Sequence, residues 1–256
     1  MLKSGDPVLI YDEDGNSWII FLSDKGVLHT HAGIVKHKEI IGKRYGEKIH
    51  THLGKVLWIL RPSIEDFILN YIRRRTQIVY PKDSGFLIVR CGISSGSKVL
   101  EVGTGSGALT AVLANIVKPN GFIDTYEKRK EFYELAKSNL SKLGLDEYVY
   151  FHNIDFKDAE VPENYYDAAF IDGDSPWDII NKIWYSLKGG HTAAFIIPTY
   201  TQLEKLAPHL LGKFIDIKGQ EINYRELILI PGRIRPQFQM IGYTAVIVTC
   251  RKISNY

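Results

Sequence analysis

Residues 98–109 read KVLEVGTGSGAL, a short apolar strand that runs into a glycine-rich turn and opens a helix. Glycine lacks a Cβ and adopts positive φ freely, so Gly103, Gly105 and Gly107 let backbone N–H groups and a helix N-terminus approach a ligand closely. Such turns follow the strands of parallel sheets. The segment therefore predicts a site for a nucleoside-bearing cofactor at the end of a parallel strand.

Strand-like and helix-like segments alternate along the rest of the chain. They cover residues 121–127, 129–143, 148–155, 166–172, 176–187, 191–198 and 201–211. This alternation predicts βαβ units, and hence an α/β fold with a parallel sheet flanked by helices. Two further β-like segments, 222–230 and 243–251, break the alternation. We expect them to form an antiparallel pair that closes the sheet edge.

The N-terminal part has a different pattern. Short alternating segments between residues 7 and 60 predict β-hairpins, so we expect a small β-domain over residues 1–62. Ser63 and Asp66 resemble a capping box, which predicts a helix that ends in Arg73, Arg74 and Arg75. A second helix is expected over 84–91. Residues 63–256 then form the larger domain, with 63–97 as a helical segment flanking the cofactor.

Composition restricts the class of protein. Lys and Arg exceed Asp and Glu by three, which is only a mild preference for anionic partners. The two cysteines, Cys91 and Cys250, have no metal-ligand spacing and fit a reducing compartment. No apolar segment is long enough to span a membrane, and none at the N-terminus resembles a signal peptide. We therefore expect a cytoplasmic protein with no membrane partner.

The glycine turn is compatible with two cofactor classes. Gly103, Gly105 and Ala108 fit the dinucleotide pattern G-x-G-x-x-A, and Glu127 lies near the position of a ribose-binding acid. Glu101 and the closely spaced glycines also form E-x-G-x-G-x-G, which resembles the first motif of Rossmann-like methyltransferases. A nicotinamide-dependent reductase therefore stays an alternative to an S-adenosyl-L-methionine enzyme.

Acidic residues end three successive predicted strands, at Glu101, Glu127 and Asp155. In the methyltransferases that this pattern resembles, the position of Asp155 faces the adenine amino group of the cofactor, and Glu127 is suited to the ribose hydroxyls. The set favours S-adenosyl-L-methionine. The candidate cofactor-binding residues are Gln77, Glu101, Gly103, Gly105, Ser106, Gly107, Glu127, Asp155 and Asp172.

Asp172 ends the fourth predicted strand, and a carboxylate at the carboxyl end of a central parallel strand points into the ligand crevice. The segments 73–83 (RRRTQIVYPKD), 99–110, 166–177 and 235–248 (RPQFQMIGYTAVIV) together resemble the tRNA adenine-58 N1-methyltransferases of archaea and bacteria. The first and last segments lie outside the general methyltransferase core and are the most selective. The resemblance implies a Rossmann-like class I methyltransferase domain.

The resemblance also implies a homotetramer that methylates N1 of an adenosine in the T-loop of tRNA. It places Gln77 and Tyr80 beside the cofactor and the incoming base, and Asp172 against the target adenine, so Asp172 and Tyr80 are the catalytic candidates. One departure is that Gly173 and Asp174 stand where family members carry bulkier apolar residues. This departure changes the expected wall and charge of the acceptor pocket.

A tRNA substrate needs cationic side chains near the site. The candidate phosphate contacts are Arg73, Arg74, Arg75, Lys82, Arg233 and Arg235. The clustered arginines fit a solvated helix end equally well. The pairs His29/His31 and His50/His52 lack a third ligand by spacing, so we expect no metal.

Two other functions stay open at the sequence level. A methyltransferase of the same fold could act on a protein or a small molecule, and a non-catalytic subunit could bind tRNA without methylating it. The intact glycines and acids favour catalysis. Whether adenine 57 is modified along with 58 is not encoded in any of these motifs.

Overall fold

The computed structural model describes residues 1–254 and divides the chain into two compact units, Met1–Ile72 and the part that starts at Arg73. The strands of the first unit are β1 (Pro7–Tyr11), β2 (Ser17–Phe21), β3 (Val27–Thr30), β4 (Gly33–Lys36), β5 (Lys48–His50) and β6 (Val56–Leu60). Four of them form an antiparallel sheet in the order β2-β1-β6-β5, and β3 and β4 form a separate hairpin. The core between them contains Val8, Ile10, Leu57 and Ile59, all fully buried.

Helix α1 (Ile64–Asn70) follows the sheet and begins at the expected capping box. The Ser63 hydroxyl accepts a hydrogen bond from the Asp66 N–H at 3.1 Å, and the Asp66 carboxylate accepts one from the Ser63 N–H at 2.8 Å. The prediction that this helix continues to the arginines is wrong, because the helix ends at Asn70. Residues 73–75 lie outside it, and the Arg73 N–H donates to the Asn139 side chain instead of to a helical carbonyl.

The second unit alternates strands and helices. Its strands are β7 (Lys98–Val102), β8 (Phe122–Tyr126), β9 (Val149–His152), β10 (Tyr166–Ile171), β11 (Leu187–Ile197), β12 (Phe214–Gln220), β13 (Leu227–Ile228), β14 (Arg235–Pro236) and β15 (Val246–Lys252). Its helices are α2 (Pro81–Cys91), α3 (Ala108–Val117), α4 (Lys130–Lys142), α5 (Ile180–Ser186) and α6 (Tyr200–Leu210). Helix α2 begins three residues earlier than expected, because Pro81 occupies its first position, where the missing N–H is not needed.

Seven strands form one sheet in the order β12-β15-β11-β10-β7-β8-β9. The strands from β11 to β9 are parallel, while β15 runs antiparallel to both β11 and β12. Central strands such as Ala168–Ile171 are buried, as expected for a sheet with helices on its faces. The predicted α/β architecture with a central parallel sheet is therefore confirmed.

The expected edge pair is wrong. Strand β15 pairs with β12 rather than with residues 222–230, and residues 221–245 leave the sheet as an excursion that carries the short hairpin β13–β14. Both candidate partners alternate apolar and polar residues, so periodicity could not separate them. Strand β12 follows α6 after only three residues and pairs with β15 at the edge, while Leu227 and Leu229 in the excursion are exposed at 55% and 73%.

Candidate active site

The glycine turn brings the ends of β7 and β10 unusually close. Gly103 has φ +93°, and a Cβ added there would lie 1.8 Å from the backbone carbonyl oxygen of Asp172. The Asp172 N–H also donates to the Val102 carbonyl at 2.8 Å. Any side chain at position 103 would therefore push the two strand ends apart, so the turn places Asp172 directly beside the first motif.

Two neighbouring cavities open at these strand ends. Cavity A, of about 160 Å³, lies against the ends of β8, β9 and β10, and cavity B, of about 350 Å³, lies against residues 76–79, 196–198 and 244–245. Gly103, Glu127, Arg129 and Asp172 line both cavities. The two spaces therefore meet at Asp172 and the glycine turn.

Glu127 is 4% exposed, and its carboxylate is held in place by backbone donors. One oxygen accepts the Gly105 N–H at 3.0 Å, and the other accepts the Arg129 N–H at 2.9 Å. These bonds orient the carboxylate toward both cavities and leave acceptor capacity for a further donor. Such a fixed acceptor suits ribose hydroxyl groups.

Asp155 is half-buried and lines cavity A together with the apolar side chains of Ile154 and Phe156. Its carboxylate accepts the Lys157 N–H at 3.0 Å. Cavity A thus combines apolar walls with four carboxylates, those of Glu127, Asp155, Asp172 and Asp174. This combination matches the flat rings and polar edges of a nucleoside.

Glu101 occupies a different environment from the other two acids. It is 2% exposed, and one of its carboxylate oxygens accepts hydrogen bonds from the hydroxyls of Thr110 and Thr125, both at 2.6 Å. The Thr125 hydroxyl also contacts that of Thr104 in the glycine turn at 2.6 Å. Burial raises the pKa of Glu101 to about 7. In the described part of the chain, Glu101 lines neither cavity. It is connected to the glycine turn through the hydroxyls of Thr125 and Thr104.

Asp172 is an exposed residue where the two cavities meet, and neighbouring protein atoms replace only part of the water around its carboxylate. This partial desolvation, followed by the negative charges of Asp174 and Glu127, raises the pKa of Asp172 to about 6, while Arg129 acts in the opposite direction. A carboxylate with a raised pKa at the meeting point of two cavities is a strong candidate for a functional group.

Hydrogen bonds with Ser106 and Asn139 hold the segment 73–79 against the glycine turn. The Ser106 hydroxyl accepts the Arg75 N–H at 3.3 Å and contacts the Thr76 hydroxyl at 3.3 Å. Asn139, which is 2% exposed, donates to the carbonyls of Arg73 and Ser106, both at 2.9 Å. Sequence reasoning missed Asn139, since a single buried amide on a helix carries no motif.

These contacts place Gln77 in the wall of cavity B, close to Gly103 and Gly105. Tyr80 is half-buried at the N-cap of α2, where its backbone carbonyl accepts the N–H groups of Asp83 and Ser84, both at 2.9 Å. Within residues 1–254 Tyr80 does not belong to the lining of cavity A or B. The structure thus brings Gln77 into the site and leaves Tyr80 outside the lining of both cavities.

The six basic residues predicted to contact RNA phosphates lie in two kinds of environment. Arg73, Arg74, Arg75, Arg233 and Arg235 are exposed, and Arg235 stacks over the Phe238 ring at 4.3 Å. The Lys82 side chain is only 11% exposed and donates three hydrogen bonds of 2.7 Å, to Asp83, the Ile222 carbonyl and Thr244. Lys82 is therefore far less available to a phosphate than the arginines.

The departure at Gly173 and Asp174 changes the mouth of the site. Asp174 lines both cavities, its side chain is 89% exposed, and its carboxylate lies 3.4 Å from the Lys128 ammonium. An apolar residue there would remove a negative charge next to Asp172. Two further wall residues that sequence reasoning missed, Arg129 and Gln202, have no motif of their own.

One cluster of side chains in the first unit has the spacing of a cation site. In residues 1–254 one group could hold a cation, formed by Asp12, Asp14 and His31, whose ligand atoms all lie within 4.8 Å of one another. No helix among these residues is long and apolar enough to cross a membrane. Both cysteines are buried free thiols.

Family models match both units of the chain. Residues 55–231 match the family described as tRNA methyltransferase complex GCD14 subunit, and residues 1–49 match the TrmI-like N-terminal family. The tRNA (adenine(58)-N(1))-methyltransferase TrmI of Thermus thermophilus is 31% identical over 252 residues, which cover 96% of each chain. A Methanocaldococcus jannaschii relative, named for positions 57 and 58, is 30% identical over 95% of this chain and 94% of its own.

Solved structures agree with these matches. The tRNA (m1A58) methyltransferase TrmI of Aquifex aeolicus has a TM-score of 0.87 and 38% identity, and the similarity covers 99% of both chains. A Thermotoga maritima structure described as a SAM-dependent O-methyltransferase has a TM-score of 0.92 and 39% identity, over 100% of this chain and 96% of that one. The chain therefore belongs to the GCD14/TrmI family of S-adenosylmethionine-dependent tRNA methyltransferases.

Proposed function

We propose that this protein transfers a methyl group from S-adenosylmethionine to N1 of adenosine 58 in the T-loop of tRNA. The observation that carries the proposal is the position of Asp172, at the junction of a nucleoside-shaped cavity and a larger second cavity. Relatives named for this reaction match nearly the whole chain, including the segment 73–83 and the excursion 221–245. Both parts help to build cavity B.

The residues present fit the cofactor. The strand ends approach closely because position 103 is glycine, Glu127 is a prearranged acceptor, and Asp155 lies beside apolar walls in cavity A. Glu127 would hold the ribose hydroxyls, Asp155 the adenine amino group, and Gly103, Gly105 and Gln77 the remainder. Ser106, Gly107 and Glu101 would act by fixing the shape of the turn. When bound, S-adenosylmethionine supplies an electrophilic methyl group on a positively charged sulfur.

Asp172 accounts for the chemistry at the acceptor. Adenine N1 is a weak neutral nucleophile, and methylation leaves a positive charge on the ring. An Asp172 carboxylate that accepts a hydrogen bond from the exocyclic N6 amino group orients the base and stabilises this charge as it develops. The N6 proton does not have to leave before the methyl group is transferred. Tyr80, three residues after Gln77 and at the N-cap of α2, would support the incoming base.

A buried T-loop adenine must leave its stack before it can enter cavity B. The exposed arginines at 73–75, 233 and 235 would contact the phosphates of the opened RNA. Lys82 would contribute little to this contact, because its three protons are already used within the chain. This division makes the arginines the first group to test in tRNA binding.

We also propose that the protein acts as a cytoplasmic homotetramer. Free buried thiols at Cys91 and Cys250 are compatible with a reducing compartment. Assembly is a feature of relatives in eukaryotes, since the Dictyostelium discoideum protein, 28% identical, is named as a catalytic subunit. The two-position name of the Methanocaldococcus jannaschii relative makes adenine 57 a second target to examine.

The direct test is to incubate the protein with labelled S-adenosylmethionine and unmodified tRNA, digest the product and identify the methylated nucleoside by mass spectrometry. We expect 1-methyladenosine at position 58. In the same assay Asp172→Ala should lose about 10²-fold or more of the activity, while calorimetry finds cofactor binding retained. A ribose or base O-methyl product would instead favour the chemistry for which the Thermotoga maritima structure is described.

A further inference from the structure

Two exposed tyrosines lie at the edge of cavity B. Tyr200 is the first residue of α6, and Tyr243 immediately precedes Thr244 and Ala245, which line the cavity. Their exposed fractions are 61% and 43%. The ring centroids are 6.5 Å apart with an angle of 28° between the planes, so the two rings face nearly the same way.

Hydrogen bonds hold both rings by their hydroxyl groups. The Tyr243 hydroxyl donates to the carbonyl of Pro198, another cavity B residue, at 3.0 Å. The Tyr200 hydroxyl donates to the carboxylate of Glu221, at the start of the excursion. The polar end of each tyrosine is therefore satisfied within the chain, while the aromatic faces remain accessible.

This arrangement has the properties of a stacking surface for a nucleobase. A base that leaves the RNA stack loses favourable contacts, and proteins compensate by stacking it on aromatic side chains whose orientation is already fixed. The wall of cavity B contains polar partners for the edge of a base. They are the Asp172 carboxylate and the Gln202 amide, whose nitrogen donates one proton to the Asp174 carbonyl at 3.4 Å and has a second proton to donate. A nucleobase needs both features, because its flat faces stack on aromatic rings and its edge forms hydrogen bonds.

We propose that Tyr200 and Tyr243 form a stacking platform for a nucleobase of the RNA substrate at the entrance of cavity B. The inference rests on the proposed function, since it assumes that an RNA base enters this cavity. It assigns to the start of α6 and the end of the excursion a direct contact with the substrate. The platform contributes to RNA binding and to base positioning, and it has no part in holding the cofactor.

The test compares Tyr200→Leu and Tyr243→Leu with Tyr200→Phe and Tyr243→Phe in the full-length protein. Leucine removes the aromatic face, whereas phenylalanine keeps it and removes only the hydroxyl bond. We expect each leucine variant to lower kcat/KM for tRNA by roughly 5-fold to 150-fold, the range reported for loss of one base stack. The phenylalanine variants should stay within about threefold of the wild type.

Tyr150→Leu is the matched control, because Tyr150 is 58% exposed on the edge strand β9 at the opposite side of the sheet. Its kcat/KM should be unchanged. Calorimetric binding of S-adenosylmethionine and thermal unfolding should be the same in all variants, which separates loss of the platform from misfolding.

A T-arm RNA hairpin with 2-aminopurine beside the target adenine gives a readout independent of turnover. Stacking on tyrosine should quench the fluorescence with the wild type and with the phenylalanine variants, and not with the leucine variants. The platform is disproved if the leucine variants match the wild type, or if phenylalanine is as harmful as leucine. Wild-type protein that forms no 1-methyladenosine would instead refute the proposed function.

Discussion

Asp172 is the residue on which the proposed mechanism depends, and its neighbours set its charge state. Partial desolvation by the neighbouring strand ends raises its pKa to about 6, the negative charges of Asp174 and Glu127 add to this shift, and Arg129 opposes it. Glu101 is a further acid whose own pKa responds to Asp172. An aspartate in water would be fully charged well above pH 4. The site therefore raises the pKa of the Asp172 carboxyl group to within about one unit of neutral pH.

The raised pKa of Asp172 predicts that the activity falls on the acidic side, or acidic limb, of the pH profile. Because the raised pKa means that Asp172 is charged only above about 6, kcat/KM should fall tenfold per pH unit below that value. Asp174→Asn removes a nearby negative charge and should move the limb to lower pH. The measurement is kcat/KM for tRNA between pH 5 and 9. Glu160→Gln, which lies outside the lining of both cavities, is the control and should leave the acidic limb of the profile in place. If the limb also stays in place in Asp174→Asn, the charge of Asp174 does not set the pKa of Asp172.

The hydrogen bonds to Glu101 can be tested through their effect on the stability of the protein. Thr110→Val removes one of the two hydroxyl donors to a carboxylate that is 2% exposed. The pKa of Glu101, raised to about 7 in the folded protein, means that the charged form predominates only above neutral pH. Thr110→Val should therefore reduce the free energy of unfolding by about 1–3 kcal/mol at pH 8, and by less at pH 5.5.

Denaturant unfolding at the two pH values measures this difference, and Thr110→Ser, which keeps the hydroxyl, is the control. The sign follows from linkage. The Thr110 hydroxyl lowers the pKa of Glu101, so its removal raises that pKa further, and a carboxyl group with a higher folded pKa loses more stability at high pH. Equal losses at both pH values would mean that packing, rather than the hydrogen bond to Glu101, is responsible.

At the scale of elements, Lys82 links α2 to both ends of the excursion 221–245. Its ammonium donates to the Ile222 carbonyl at one end and to the Thr244 hydroxyl at the other, while Asp83 accepts from both Lys82 and Thr244. The Asp83 side chain is 3% exposed. The excursion is therefore closed at its base by a buried ion pair, directly beside cavity B.

Lys82→Met should break this closure. Removing one partner leaves Asp83 buried and unpaired, which typically costs about 3–5 kcal/mol of stability. The loosened excursion should be cut faster by trypsin after Arg225 and Arg233, with the sites identified by mass spectrometry. The double variant Lys82→Met/Asp83→Asn should recover part of the stability, since no charge is left unpaired. Unchanged cleavage in Lys82→Met would show that the excursion is held by other contacts.

Sequence reasoning succeeded where a local pattern fixes the geometry. The glycine turn, the capping box at Ser63 and the alternation of strands and helices each depend on residues close together in the chain. It failed where two distant segments compete, as at the sheet edge, where β12 rather than 222–230 pairs with β15. Residues such as Asn139 and Lys82 show the same limit, because their roles come from partners 33 to 162 positions away.

At the scale of the whole molecule, the predicted assembly has a testable surface. Exposed apolar side chains are concentrated in β12 and the excursion, including Ile215 at 57%, Leu229 at 73% and Ile234 at 67%. A monomer rarely keeps so many apolar groups in water within one stretch of chain. Such a stretch is more typical of a surface that is covered by another copy.

Light scattering on the eluted protein should therefore give a mass about four times the 29.1 kDa of one chain. Ile215→Asp and Leu229→Asp should reduce that mass, because a carboxylate buried between subunits would lose its hydration without a partner. Leu53→Asp, at an equally exposed apolar residue of the first unit, is the control and should keep the wild-type mass. A wild-type protein that elutes as a monomer at all concentrations would exclude the tetramer, and the apolar stretch would then need another occupant.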